Sequence, residues 1–240
     1  MPQGRLYLLP VSIGGNNPEA VLPADTLRIA RELGYFIVEN AKSARAELKR
    51  IGLSRPIQEL DIRELPREAA SADLDDLLAP LAAGRAAGLM SEAGAPAVAD
   101  PGAQLVHAAH ARGIAVVPLV GPSSLLLALM ASGLNGQCFA FHGYLPVREP
   151  GRSRRIAELE RASRRERRTQ IFIETPYRNA ALFAALTENC SPDTLLCLAS
   201  ELTTSRETIM TKRVDAWRAG PPPALDKRPT VFLLLAGRSD

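Results

Sequence analysis

The sequence predicts an α/β protein of two domains, the first built on a mainly parallel sheet and the second on a mixed one. Three observations predict this. Over the first 134 residues, short β-rich runs alternate with helical patterns, and strands separated by helices pair in parallel through crossover connections. In the remainder, several strand-like runs follow one another with no long helix between them, which requires antiparallel pairing. At 240 residues, 46% of them hydrophobic and 23% charged, the chain has a globular composition and length for two cores. The expected domains span 1–134 and 135–240.

Residues 5–9 form a strand that ends at Pro10 and opens into Gly14-Gly15-Asn16-Asn17-Pro18. Asp25 N-caps a helix that reaches Leu33 and stops at Gly34. A β-rich run at 35–39 precedes a basic amphipathic helix at 41–51. Strand 57–60, helix 73–83, strand 87–91, helix 103–112 and strand 114–118 continue the rhythm. After Val120-Gly121-Pro122 an apolar helix covers 124–132, capped by Ser123 and ended by Gly133, and closes the first domain. The second domain opens with a strand at 138–142. An arginine-rich helix follows, then strand 169–174, helix 177–189 and strands at 194–200, 207–214 and 230–235. Pro221-Pro222-Pro223 reads as a stiff linker, and no repeat of solenoid period is present.

Composition excludes several classes. No apolar run reaches the roughly 18 residues that span a bilayer, and the N-terminus lacks a signal peptide's apolar region, so a cytoplasmic protein without a membrane partner is expected. Cys138, Cys190 and Cys197 form no Cys-x-x-Cys pair and read as reduced core thiols. His107 and His110 lack a third ligand at metal spacing, so no metal is expected. The net charge of +3 is too small to argue for nucleic acid, but residues 152–168 hold eight arginines against Glu158, Glu160 and Glu166. That segment is either a local basic site or a solvated helix face.

Ligands of open parallel sheets collect beyond the carboxyl ends of strands, which selects loops 10–17, 39–40, 91–102 and 120–124. The richest is 91–102. Its small residues let a ligand approach backbone, Pro96 and Pro101 fix its path, and Glu92 and Asp100 suit a cationic ligand. S-adenosylmethionine (SAM), with a sulfonium and an ammonium, fits that description, and methyl transfer needs positioning without a metal. The competing reading is an ordinary turn in which Asp100 caps the next helix. No Gly-x-Gly-x-x-Gly, phosphate-loop or Gly-x-Ser-x-Gly motif is present, which counts against dinucleotide, nucleoside triphosphate and hydrolase chemistry. Glu174-Thr175-Pro176-Tyr177-Arg178 lies where a strand turns into a helix and suits phosphate or carboxylate; Glu201-Leu202-Thr203 ends the next strand. His142, ahead of Gly143-Tyr144-Leu145-Pro146, is expected to be structural.

Six segments carry a resemblance: Leu6-Tyr7-Leu8-Leu9-Pro10 with Ile13-Gly14, Ser91-Glu92-Ala93-Gly94-Ala95-Pro96 with Asp100-Pro101-Gly102, Val120-Gly121-Pro122-Ser123, Tyr144-Leu145-Pro146, Glu174-Thr175-Pro176-Tyr177-Arg178 and Ser200-Glu201-Leu202-Thr203. In order and spacing they resemble the tetrapyrrole methylase superfamily, and within it the ribosomal RNA small-subunit methyltransferase I group. The resemblance implies a two-domain methyltransferase, a homodimer, with SAM in the cleft between its domains. By motif position the cofactor meets Pro10, Ser91, Glu92, Ala93, Gly94, Val98, Ala99, Ser123, Ser124, Leu145, Ala199, Glu201 and Leu202, with Pro229 and Thr230 closing the pocket.

The chain departs from that group in places. Glu39-Asn40-Ala41-Lys42 stands where Glu-Asp-Thr-Arg is usual, Glu92 replaces an aspartate, and the C-terminal extension common in the group is expected to be absent. Glu39 is then the surviving carboxylate and the expected catalytic residue, with Asn40 orienting the acceptor. The resemblance implies ribosomal RNA as partner and the ribose 2'-hydroxyl of a cytidine as acceptor; the basic segment offers Arg164 and Arg165, and the turn at 174–178 offers Arg178, as the residues expected to hold it. Two alternatives are a C-methyltransferase acting on a tetrapyrrole and a catalytically weakened RNA-binding protein that keeps the pocket.

Overall fold

The computed structural model describes residues 4–14 and 17–237, so Gly15 and Asn16 of the expected first loop, and the first three residues, lie outside the described residues. The chain divides into two units, 1–123 and 124–240.

In the first unit the elements run β1 (Arg5–Leu8), α1 (Pro18–Val21), α2 (Ala24–Glu32), β2 (Tyr35–Val38), α3 (Ala41–Ile51), β3 (Asp61–Glu64), α4 (Ser71–Ala82), β4 (Ala87–Met90), α5 (Ala103–Ala111) and β5 (Ala115–Pro118). Their strands form one sheet, ordered β3-β2-β4-β1-β5, in which every pair is parallel. Strands β2 and β4 are buried at all positions, as central strands covered on both faces must be. The period of two shows in β2. Tyr35 and Ile37 join Leu6, Leu77, Leu89 and Leu105 in one core, whereas Phe36 and Val38 join Leu27, Leu48, Ile51 and Met90 in the other.

The second unit contains α6 (Ser124–Ser132), β6 (Phe139–Tyr144), α7 (Gly151–Glu166), β7 (Thr169–Ile173), α8 (Asn179–Asn189), β8 (Leu195–Ser200), β9 (Thr208–Arg213), α9 (Val214–Ala219) and β10 (Thr230–Leu235). Its sheet is mixed, ordered β6-β7-β10-β8-β9, with β6 and β7 parallel and the other pairs antiparallel. Along β10, Phe232 and Leu234 pack with Leu159, Leu186 and Trp217, while Val231 and Leu233 face Ala128, Leu129 and Ala199.

Four expectations need correction. Helix α6 packs on the second sheet, through Ala128 and Leu129 and a hydrogen bond from Thr211 Oγ1 to Ser132 O (2.7 Å), so the boundary falls before it instead of after residue 134. Gly133 ends a helix; it does not end a core. The strand expected at 57–60 is a 3₁₀ turn, Ile57–Glu59, and β3 begins at Asp61, because Ile57 and Leu60 pack on the core from outside the ladder. Asp25 does not cap α2, which starts at Ala24 behind Pro23; its carboxylate pairs with Arg28 instead. Helix α9 was hidden behind the expected strand 207–214, and its Trp217 donates Nε1–H to Leu196 O (2.9 Å). Cys138, Cys190 and Cys197 are free thiols, and burial pushes Cys190 up to about 12. Among the described residues, no helix is long and apolar enough to cross a membrane.

Candidate active site

The strand order of the first unit has a switch point between β1 and β4. Strands β1 and β4 are neighbours, yet the chain leaves β1 toward β2 and leaves β4 toward β5, so the loops after them diverge at the carboxyl edge. Open α/β sheets bind ligands at such a switch point. The two loops are pinned at their base, where Val11 N–H donates to Gly94 O (2.8 Å) and Gly94 N–H to Val11 O (2.9 Å). From α3, the buried Glu47 carboxylate accepts from Ser12 N (2.9 Å) and holds the first loop from below. The loop after β5 closes in through Gly121, where an added Cβ would lie 2.4 Å from Pro10 Cβ. Only glycine permits that approach.

Three carboxylates meet at this edge. Glu39 follows β2 directly and accepts from Glu92 N–H (3.2 Å), while the Glu92 carboxylate accepts from Ser43 Oγ (3.2 Å). Asp100 completes the group. Its partial burial, then the negative charge of Glu39 and, more weakly, that of Glu92 raise its pKa to about 6, against an opposing hydrogen bond with Ser91. Asp100 also lines a cavity of about 160 Å³ beside Arg67. Backbone is bent here too, with Ala97 at φ 64° and Ala99 at φ 66°, left-handed conformations that cost a non-glycine residue on the order of 1 kcal/mol each.

In the second unit, residues 199–202 and 229–230 come together. Glu201 N–H donates to Pro229 O (2.9 Å), and Ser200 Oγ lies 2.9 Å from Thr230 Oγ1. Glu201 (φ 50°) and Thr203 (φ 68°) are again left-handed.

A family model described as Tetrapyrrole (Corrin/Porphyrin) Methylases matches residues 24–216. The chain belongs to this family. Relatives bearing the name Ribosomal RNA small subunit methyltransferase I include one from Xylella fastidiosa, 32% identical over 86% of this chain and 71% of its own. A second, from Leptospira biflexa, is 31% identical over 99% of this chain and 96% of its own length. The methyltransferase CobJ superposes with a TM-score of 0.64 at 19% identity, over 98% of this chain and 95% of that one. Uroporphyrin-III-C-methyltransferase from Thermus thermophilus gives 0.56, also at 19%, over 97% and 94%. These two show the fold.

The methylase places the residues expected from sequence unevenly. Pro10, Ser91, Glu92, Ala93, Gly94, Val98, Ala99 and Glu39 gather at one edge of the first unit, with Ser123 ending that unit and Ser124 starting the next. In the second unit Ala199 and Leu202 face one core, while Leu145 is buried in the other. The Glu201 carboxylate, 7% exposed, is held by Arg206 Nη2 (2.6 Å) and Arg228 Nε (2.8 Å), so its charge is already neutralised. Asn40 caps α3, accepting from Lys42 N (3.0 Å) and Ser43 N (3.1 Å), a task aspartate performs as well. Its exchange therefore leaves the helix start intact.

Arg164 is committed to Gly237 O (3.1 Å) and Asp193 (3.5 Å), and Arg165 to Glu166 (2.5 Å). Arg154, Arg161 and Arg167 are exposed and make no ion pair among the described residues. Arg178 is clamped to Glu174 (2.7 Å). His142 sits with Nε2 2.6 Å from Gln170, and its pKa is lowered chiefly by burial. His107 and His110 are exposed on α5. From sequence Asp100 read either as a carboxylate facing a cationic ligand or as the cap of the next helix; Gly102 occupies the cap position.

Proposed function

We propose that this methyltransferase binds S-adenosylmethionine at the carboxyl edge of its first sheet and methylates a ribose 2'-hydroxyl of small-subunit ribosomal RNA. The observation that carries the cofactor half is the crowding of Glu39, Glu92 and Asp100, which leaves Asp100 short of a cation. A cationic ligand relieves that crowding, and the small residues 93–95 and 97 leave backbone carbonyls accessible to an ammonium. When bound, S-adenosylmethionine supplies a methyl group made electrophilic by its sulfonium. Glu39 is the group assigned to hold or take the acceptor's proton, since a neutral hydroxyl is a weak nucleophile.

The acceptor half rests on the names of relatives at 31–32% identity and on α7, whose outer face carries the unpaired Arg154 and Arg161 two turns apart. Cations at that spacing suit a phosphate backbone. A second copy of the chain as partner follows from the resemblance, and sedimentation velocity checks it.

The test is incubation with methyl-labelled SAM and small ribosomal subunits from a strain lacking the enzyme, followed by nuclease digestion and mass spectrometry. A 2'-O-methylated cytidine is expected. Label that enters a tetrapyrrole and no nucleoside would overturn the RNA reading.

A further inference from the structure

Exposed aromatic rings are uncommon in this chain, and two of its four tyrosines account for the most exposed ones. Tyr177 is 78% and Tyr144 57% solvent-exposed, against Tyr35, which is fully buried. Tyr144 ends β6 and lies in register with Ile173 at the end of β7. Because these strands are parallel, the segments after them, 145–148 and 174–178, leave the same edge of the second sheet. Tyr177 belongs to the second segment.

Arg178 follows Tyr177 directly in the chain. Its guanidinium is fixed by Glu174, a carboxylate only 5% exposed, and lies close enough to Tyr144 to feel its phenol electrostatically. Arg178 Nε is buried with no partner among the described residues. The clamp neutralises Glu174, so the edge carries no free negative charge from that residue. Val147 is half exposed, and Arg148 beside it makes no ion pair among the described residues.

Two solvent-facing rings beside an immobilised guanidinium are what unpaired nucleobases stack on, whereas a duplex hides its base faces. Tyrosine and arginine also anchor protein partners. The unneutralised Arg148, with the unpaired arginines of α7 in the same unit, favours a polyanion. We propose that Tyr144, Tyr177 and Arg178 form a stacking site for unpaired bases of the RNA acceptor. This rests on RNA being the substrate and assigns it a place on the chain.

The full-length protein is titrated by fluorescence anisotropy with a labelled single-stranded RNA of about 12 nucleotides and with the same sequence as a duplex. The single strand is expected to bind more tightly. Tyr177→Ala and Tyr144→Ala should each weaken it by about 10-fold, within the range of one lost stack, with the salt dependence unchanged because no charge is removed. Tyr177→Phe should bind like the parent. Ala variants that stay folded by circular dichroism and bind single strands as the parent does overturn the stacking site while leaving the RNA reading intact, as does equal affinity for duplex. Ala variants with parental RNA affinity but impaired self-association would make the patch a protein contact and overturn it too. A parent that binds neither form overturns the RNA reading and the inference with it.

Discussion

At the scale of single residues, Asp100 is the most informative group, because the proposed cofactor site ties its charge state to ligand binding. Its pKa is 3.8 in an ordinary setting and about 6 here. A carboxyl raised on folding binds more protons in the folded state between those values, so it costs stability as pH rises from about 4 to 6, and the full cost persists above that. Asp100→Asn is therefore expected to stabilise the protein at pH 7.5 by about 1 kcal/mol, a figure discounted for solvent screening at a half-buried site. Below about pH 4 it should change nothing, and urea unfolding at the two pH values checks the sign. Binding of a cation should draw Asp100 back down. SAM binding at pH 6 is then expected to release protons and at pH 8 to release almost none, as calorimetry in buffers of different ionisation enthalpy reads directly. Proton-neutral binding at pH 6 would place the sulfonium elsewhere. Glu39 is separable from this effect. Glu39→Gln keeps an acceptor for Glu92 N–H and removes the base, so turnover should fall about 100-fold with SAM affinity nearly unchanged. A variant that turns over at the parent rate would make Glu39 a positioning residue for the loop.

At the scale of elements, α7 separates charge that is available from charge that is spent. Glu160 points inward, accepting from Ser191 N–H (2.7 Å), while Arg155 and Arg165 are paired with Glu158 and Glu166. Reversing Arg154 and Arg161 together to glutamate should lower the slope of log affinity for RNA against log salt by about 2. Arg164→Ala should leave that slope alone and cost about 1 kcal/mol of stability, through the lost bond to Gly237 O. Equal slopes for parent and double variant would return α7 to a solvated face. The arginine run was legible in the sequence, but which members were free was not, since Asp193 reaches Arg164 from a distant turn. The same holds elsewhere. Tyr35-Phe36-Ile37-Val38 announces a buried strand by composition alone, whereas β3 is a half-exposed edge whose pattern is no stronger than that of the turn before it. The loop after β4 was readable as a ligand site from its glycine, prolines and carboxylates. The interaction of Asp100 with Glu39 was not, because it depends on β2 lying beside β4. Nor did anything local mark Glu201 as captured by Arg206 and Arg228.

At the scale of the whole molecule, each apolar cluster lies inside one unit: Leu6, Ile37 and Leu89, like Phe36, Leu48 and Met90, belong to the first, and Phe172, Leu186 and Phe232, like Leu129, Cys197 and Leu233, to the second. A unit that owns its core can fold without the other, provided the cut respects the packing. Helix α6 decides where that cut lies. It buries Ala128 and Leu129, half-buries Leu125 and Leu127, and ties Ser132 O to β9. At about 1.5–3 kcal/mol for each fully buried leucine and less for the others, its removal costs on the order of 5 kcal/mol. That equals the whole stability of a marginal domain. A fragment of residues 124–240 is thus expected to unfold in one cooperative urea transition. A fragment of 135–240, cut where Gly133 suggests, should expose Ile171, Ala199 and Leu233, bind a hydrophobic dye and show no cooperative transition. Equal midpoints for the two fragments would show that α6 contributes nothing to the second core, and the boundary would then belong after the helix.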